Sequence, residues 1–115
     1  MSGSMESVRA GVATGVSGEV RFGATVVGNP HFFHSSVSGS THEAFDVRSD
    51  DGVRVEVVDN VSIAPRVPVG VGDRVVVQGV LIPKASRGPL VHWTHHDPEG
   101  THQGGFIEWN GRRYA

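Results

Sequence analysis

Residues 72–81 read GDRVVVQGVL, a turn followed by a valine-rich run with a glycine near its end. Gly72-Asp73 is typical of a turn, and the β-branched residues of the run from Arg74 to Ile82 favour extended backbone. Gly79 lies inside this run, where a glycine indicates a bulge or a bend. The stretch therefore predicts a bent strand of the kind that closes a small barrel.

Two more strands are predicted upstream, on either side of a tight turn. Residues 42–48 alternate, so that Glu43, Phe45 and Val47 share one face, and Phe45 and Val47 indicate that this face meets the core. Asp50-Asp51-Gly52 is a hairpin signal, and the valines of residues 53–57 alternate with charged residues. We expect these two strands to pair.

The remaining segments complete an all-β pattern. Residues 19–27 form a plausible first strand, residues 63–68 contain two prolines and predict an irregular connection, and residues 90–96 predict a fifth strand. Residues 106–114 predict a hairpin about Asn110-Gly111, and no convincing helix is found. Five or six short strands predict a small OB-like barrel, with a small β-sandwich as the alternative.

Composition sets limits on the class of protein. The 115 residues suit one domain, which we place at residues 18–115, with residues 1–17 as a flexible arm or cloning remnant. A net charge of −2 gives no strong overall field towards nucleic acid, and without cysteine a metal would need His, Asp or Glu ligands. No membrane span is predicted. The oligomeric state stays open, as does the location, cytoplasmic or, if a leader has been removed, in the cell envelope.

The most unusual stretch is VHWTHHDPEGTH at residues 91–102, with four histidines in twelve residues. Two histidines four apart on a strand lie about 13 Å apart, so a shared ion would need ligands from elsewhere in the chain. One hypothesis is therefore a zinc or manganese site able to hydrolyse a phosphodiester. Its metal ligands would be His42, His96, His102 and Asp97, with His92 or His95 as general acid or base and Arg66 as an anion clamp. The alternative is that these side chains only hold the turn in place.

A second hypothesis is a non-catalytic binding module for single-stranded nucleic acid or an oligosaccharide. Residues 28–41 predict a long loop that carries Phe32 and Phe33, and aromatic rings beside basic groups can stack on a ligand. In OB barrels the loops after the first and fourth strands flank the ligand face. The predicted ligand residues are Phe32, Phe33, Trp93, Lys84 and Arg87. The two phenylalanines alternatively cover an end of the barrel.

The chain resembles a family of small bacterial domains of unknown function marked by the motif HWTHHDP, here at residues 92–98. The shared positions continue through Gly39, His42, Phe45, Asn60, Ala64-Pro65-Arg66, Gly72-Asp73, His102, Gly104-Gly105, Asn110-Gly111 and Tyr114. The resemblance implies a compact β-barrel with a polar site that includes Asn60, and it implies no activity. This chain departs from the family pattern at Glu43 and Asp59, where glutamine and histidine are usual, which would alter the polar network. Some members resemble exported proteins.

Overall fold

The computed structural model describes residues 7–101 and 103–115. Within these residues the elements are one helix, α1 (Val8–Thr14), and eight strands: β1 (Gly18–Val26), β2 (His31–His34), β3 (Thr41–Ser49), β4 (Arg54–Asn60), β5 (Arg74–Ile82), β6 (Leu90–His92), β7 (Phe106–Trp109) and β8 (Arg112–Tyr114). The strand order around the sheet is β1-β3-β4-β6-β5, and β5 also pairs with β1, which closes a five-stranded barrel.

The pairing directions are those of an OB-type barrel. β4 and β6 run parallel, whereas the other neighbours in the barrel are antiparallel. The predicted hairpin of β3 and β4 is confirmed, with Phe45 opposite Val57 and Val47 opposite Val55, and all four side chains are buried. The all-β, OB-like prediction is confirmed, and the sandwich alternative is not.

The valine-rich strand β5 has the predicted bounds and pairs with β1, β6 and β7. β5 pairs with β1 along eight residues, from Arg74 to Leu81, and its Val77 and Leu81 are fully buried in the core. A Cβ at Gly79 would meet the carbonyl oxygen of His92 and lie 2.9 Å from Val91 Cγ1. Glycine at this position therefore permits the close approach of β6.

Two elements were not predicted from sequence. The helix α1 begins after Ser7, whose Oγ accepts from the Ala10 N–H at 3.1 Å, and it packs Val8 into the core. Only two of its seven residues are buried, so its sequence carries little helical periodicity. β2 lies within the predicted loop 28–41. After the break at Gly28-Asn29-Pro30 the chain pairs with β3, with His31 opposite Ala44.

The predicted fifth strand is divided by an insertion. β6 ends at His92, because Trp93 has a left-handed φ of 59° that turns the chain away from the sheet. His92 lies opposite Val80, and Phe106 lies opposite Gln78. The chain therefore moves fourteen residues forward while its partner on β5 changes by only two residues, so the described residues between them form a loop outside the sheet. We call residues 93–105 the insert. The predicted strand 90–96 is correct only as far as His92.

The predicted terminal hairpin is confirmed. β7 pairs with β8, and the connecting Asn110 and Gly111 have φ values of 53° and 79°. Positive φ at both central residues is typical of a two-residue hairpin turn. No helix in the described part of the chain is long and apolar enough to cross a membrane.

Candidate functional site

We call the outer surface of β3 and β4 the ligand face. A polar groove lies on it. The groove has a volume of about 420 Å³. Its floor includes Asp46, Arg54 and Glu56, whose side chains share the outer face of the two strands. Its walls come from the breaks and loops on either side: Gly28, Asn29, His31, Arg87 and Pro89. The groove thus lies where OB barrels bind their ligands, between the loops that follow the first and fourth barrel strands.

Two ion pairs cross this groove. Arg54 contacts Asp46 at 2.8 Å, and Arg87 contacts Glu56 at 3.3 Å. The Arg87 side chain is 74% exposed while that of Glu56 is 16% exposed, so the arginine reaches from its loop over a mostly covered carboxylate. Two cations and two anions line the groove, and their charges balance. The guanidinium and carboxylate groups retain unused donors and acceptors for a polar ligand.

Aromatic rings extend the ligand face beyond the groove along β2. The Phe33 ring stacks on His42 with centroids 5.2 Å apart and is tilted against His31 at 6.2 Å. His31 also lines the groove, so the rings and the groove are continuous. Phe32 points to the other side of β2, where the Arg66 guanidinium lies 5.2 Å from its ring centroid. Phe33, 40% exposed, therefore belongs to the ligand face, and Phe32 does not.

The insert is fastened to the barrel at both ends. The Gln78 amide donates to the Gly104 carbonyl at 2.7 Å, and the Gly105 N–H donates to the His95 carbonyl at 2.8 Å. At its start, the Thr94 hydroxyl donates to the Val58 carbonyl at 2.9 Å. Thr94 is fully buried and His95 is 4% exposed, so the insert begins as part of the folded interior.

Burial and neighbouring imidazoles act on His42 and His92. Burial is the main cause that lowers the pKa of both His42 and His92, and the charge of His95 lowers each further. His92 as a whole residue is exposed, although partial burial of its imidazole is the main cause of its lowered pKa. His95 Nδ1 lies 2.6 Å from the His96 carbonyl, which can only accept, so Nδ1 donates and the neutral ring has its lone pair on Nε2. His42 and His92 are therefore kept neutral near pH 7.

Two carboxyl groups are buried side by side, one on β3 and one on β4. Glu43 lies directly opposite Asp59 across β3 and β4, and both are 0% exposed. Desolvation, and then the charge of Glu43, raise the pKa of Asp59 to about 7. Burial also raises the pKa of Glu43, although the Val67 N–H donates to its Oε1 at 2.9 Å. We call Glu43 and Asp59 the acid pair.

The second oxygen of each acid is unsatisfied. Glu43 Oε2 and Asp59 Oδ2 are buried and have no hydrogen-bond partner among the described residues, and the same holds for His42 Nδ1. Because a buried polar atom without a partner is costly, such atoms usually mark a shared proton, a water or a functional site. His42 and Glu43 are consecutive on β3 and point to opposite faces, so they do not share one site.

The three predicted metal ligands that the structure describes are not brought together. His42 lies on the ligand face, His96 is exposed, and Asp97 accepts from the N–H groups of Glu99 and Thr101 at 3.0 and 2.6 Å within its own turn. His102 lies outside the described residues. Within residues 7–101 and 103–115, no three His, Asp or Glu side chains are arranged to hold a metal ion. The zinc or manganese site stays a prediction.

The other predicted site residues are dispersed. Arg66 stacks on Phe32, away from the groove, and the Asn60 Oδ1 accepts from the Ser62 N–H at 3.0 Å. Lys84 lies against Gly15 at the end of α1, where an added Cβ would be 3.0 Å from its Cε. Trp93 lines a second groove of about 460 Å³ beside β1 and β5. Of the predicted ligand residues, Arg87 and Phe33 are on the ligand face.

Sequence reasoning missed the residues that shape the ligand face and the acid pair. Asp46, Arg54 and Glu56 alternate with core valines and look like ordinary solvent-facing positions, so nothing in the sequence singles them out. Glu43 did carry a signal, because it shares the strand face of Phe45 and Val47, which predicts burial. Asp59 follows the valines of β4, and its position in that alternation indicates burial less strongly.

Fold and site together define an OB-type barrel with a polar groove on the outer face where such barrels bind ligands. The chain belongs to a family described as "Protein of unknown function (DUF3465)", whose profile matches residues 23–115. The predicted resemblance to a family of unknown function is confirmed at this level. No curated protein and no solved structure matches the chain.

Proposed function

We propose that the protein is a binding module that holds a neutral oligosaccharide along its ligand face. The observation that carries the proposal is the groove of about 420 Å³ on the outer face of β3 and β4, between the two loops that flank the ligand site of OB barrels. Its lining of ion-paired arginines and carboxylates offers donors and acceptors in fixed directions, which suits a ligand rich in hydroxyl groups.

The balance of charge favours a sugar over a nucleic acid. Each arginine of the groove already contacts a carboxylate, so a phosphate bound to its unused donors would lie beside Asp46 or Glu56 and be repelled by that charge. The chain as a whole carries a net charge of −2, which opposes a polyanion. A neutral chain of hydroxyl groups can bond to both partners of an ion pair without breaking it.

Phe33 supplies the apolar part of this face. Its ring is stacked on His42, which holds one side of the ring in place, and its 40% exposure leaves area for the flat face of a sugar. Phe32 is 45% exposed and adjacent in sequence, but it lies on the opposite side of β2 beneath Arg66. The two phenylalanines therefore form a matched pair of test positions.

The proposal predicts binding that depends on Phe33 and Arg87. We expect neutral oligosaccharides of glucose, galactose or N-acetylglucosamine to shift amide signals of β3 and β4 in NMR titrations of the whole chain. Phe33→Ala and Arg87→Ala should each weaken binding about tenfold, which is about 1.4 kcal/mol. Phe32→Ala should leave the affinity unchanged, and a neutral ligand should bind equally at low and high salt.

Two outcomes would contradict the proposal. One is that no sugar in this panel shifts the ligand face. The other is that single-stranded DNA binds there instead with an affinity that falls steeply as salt rises, which is the signature of phosphate contacts. Phosphodiester hydrolysis stays a prediction from the sequence, since Arg66, its predicted anion clamp, lies on the other side of β2 from the ligand face.

A further inference from the structure

The acid pair is the most unusual buried feature of the molecule. Across an antiparallel pair, directly opposite side chains have Cβ atoms about 5 Å apart, and two like charges at that distance in the interior repel strongly. Glu43 and Asp59 occupy such positions, and each has one oxygen that accepts a hydrogen bond and one with no partner among the described residues. A proton between the two free oxygens would satisfy both atoms and remove the repulsion.

The surroundings of the acid pair do not neutralise it. Among the described residues, the connector after β4 contributes the charge of Arg66, which acts on Glu43, and the Val67 N–H. β2 contributes Phe32, which lies opposite Glu43 and is uncharged. The insert contributes the neutral Thr94 hydroxyl. One exposed arginine therefore faces two buried carboxyl groups.

Thr94 connects the acid pair to the insert. Its Oγ1 lies 2.9 Å from the Val58 carbonyl and 3.3 Å from Asp59 Oδ1, and a hydroxyl has one proton to give. A protonated carboxyl is a weak acceptor, so the hydroxyl then bonds to Val58. An ionised carboxylate accepts more strongly than a carbonyl, and it competes for the same proton.

We propose that Glu43 and Asp59 hold one proton between them, and that loss of this proton transfers the Thr94 hydroxyl from the Val58 carbonyl to Asp59. The insert then changes its first anchor to the barrel as pH rises through neutrality. The step is a simple ionisation, in which the proton passes to solvent and the Thr94 hydroxyl keeps its own hydrogen. Because Trp93 and His95 flank Thr94, the change alters the surroundings of both residues.

The test follows backbone amides by NMR between about pH 5 and 9, a range that brackets neutrality. The Val67 N–H bonds directly to Glu43 and reports the charge of the acid pair. The amides of Thr94 and His95 report the insert. We expect all three signals to shift with one common midpoint in the native chain. Asp59→Asn should abolish this step, and Glu43→Gln is the second variant should the first not fold.

Control variants separate the acid pair from other titrating groups. Asp46→Asn changes an exposed carboxyl on β3 and should leave the common step in place. The histidines are unchanged in Asp59→Asn, so a step that persists in this variant does not belong to the acid pair and overturns the proposal. Thr94→Val should retain the step at Val67 and lose it in the insert, whereas Thr94→Ser should retain both.

Each remaining result decides the question. If Val67 shows the step while Thr94 and His95 do not, the acid pair titrates without moving the insert, and the coupling is wrong. If no amide shows a step, the shared proton is wrong. These measurements use no ligand, so they stand or fall independently of sugar binding at the ligand face.

Discussion

Asp59→Asn is expected to stabilise the protein at pH 8 by about 2–4 kcal/mol. The folded state raises the pKa of this carboxyl from 3.8 to about 7, and each pKa unit corresponds to about 1.4 kcal/mol. Between these two values the unfolded chain has lost the proton that the native chain still holds, so the native protein loses stability as pH rises from about 4 to about 7. Above pH 7 the loss is complete.

Asparagine keeps the shape of the side chain and removes the ionisation. Its amide oxygen can still accept from Thr94, and its amide nitrogen can donate to the unsatisfied Glu43 Oε2. Urea unfolding at a series of pH values is the measurement. The gap between the variant and the native chain should be small near pH 4 and reach its full size by pH 8, with a rise in Tm of about 10 °C or more there.

Asp46→Asn is the matched control for this prediction. It makes the same chemical change on β3, but its carboxylate is exposed and paired with Arg54, so we expect a loss of about 1 kcal/mol or less. Parallel stability curves for the native chain and Asp59→Asn across pH 4–8 would contradict the assignment of a buried proton to this position.

Most of the barrel could be predicted from the sequence because its strands and turns follow local sequence patterns. The alternation in β3 and β4, the Asp-Gly and Asn-Gly turns and the valines of β5 each depend on neighbours within a few residues. β2 could not be predicted in this way, because its pairing depends on the edge that β3 offers after the chain passes Pro30. The short helix α1 depends on a core contact of Val8 that no periodicity reveals.

The candidate site was harder to predict for a geometric reason. The sequence predicts one extended strand at residues 90–96, but the left-handed backbone at Trp93 ends that strand after His92. Strand alternation therefore cannot predict the side-chain directions of the residues after His92. The ligand face arises from pairing across strands, which places Asp46 beside Glu56, and a sequence shows such neighbours only once the register is known.

The resemblance implies that this chain departs from the family pattern at Glu43 and Asp59, and the structure gives these two positions a common physical meaning. Glu43 and Asp59 are distant in the chain but are direct cross-strand neighbours, and both are fully buried. A glutamine and a histidine at these positions would place a neutral amide beside an imidazole, whereas this chain places two acids in contact. The two replacements therefore act on one interaction, and their consequences should be measured together as well as singly.

Gly105→Ala is expected to destabilise the protein by about 3 kcal/mol or more. A Cβ at this position would overlap the Trp93 carbonyl oxygen and lie 2.5 Å from the Gln78 carbonyl oxygen and 3.0 Å from Thr94 Cα. All three neighbours are backbone atoms, which cannot rotate aside as a side chain does, so overpacking here reaches the upper end of its usual cost. Thermal and urea unfolding measure the loss, and amide hydrogen exchange should show that protection falls most in the insert.

Gly104→Ala is the control, one residue away in the same segment. Its nearest neighbour would be His96 Cα at 3.4 Å, an ordinary contact, and its backbone does not require a left-handed φ. We expect a change within about 0.5 kcal/mol, as for a substitution without a steric or backbone cause. Equal effects of the two alanines would mean that Gly105 does not fasten the insert between β5 and the Trp93–Thr94 segment. A large effect confined to Gly105 would show that the pairing of β7 with β5 depends on the return of the insert, because β7 can pair with β5 only where Gly105 passes between these backbones.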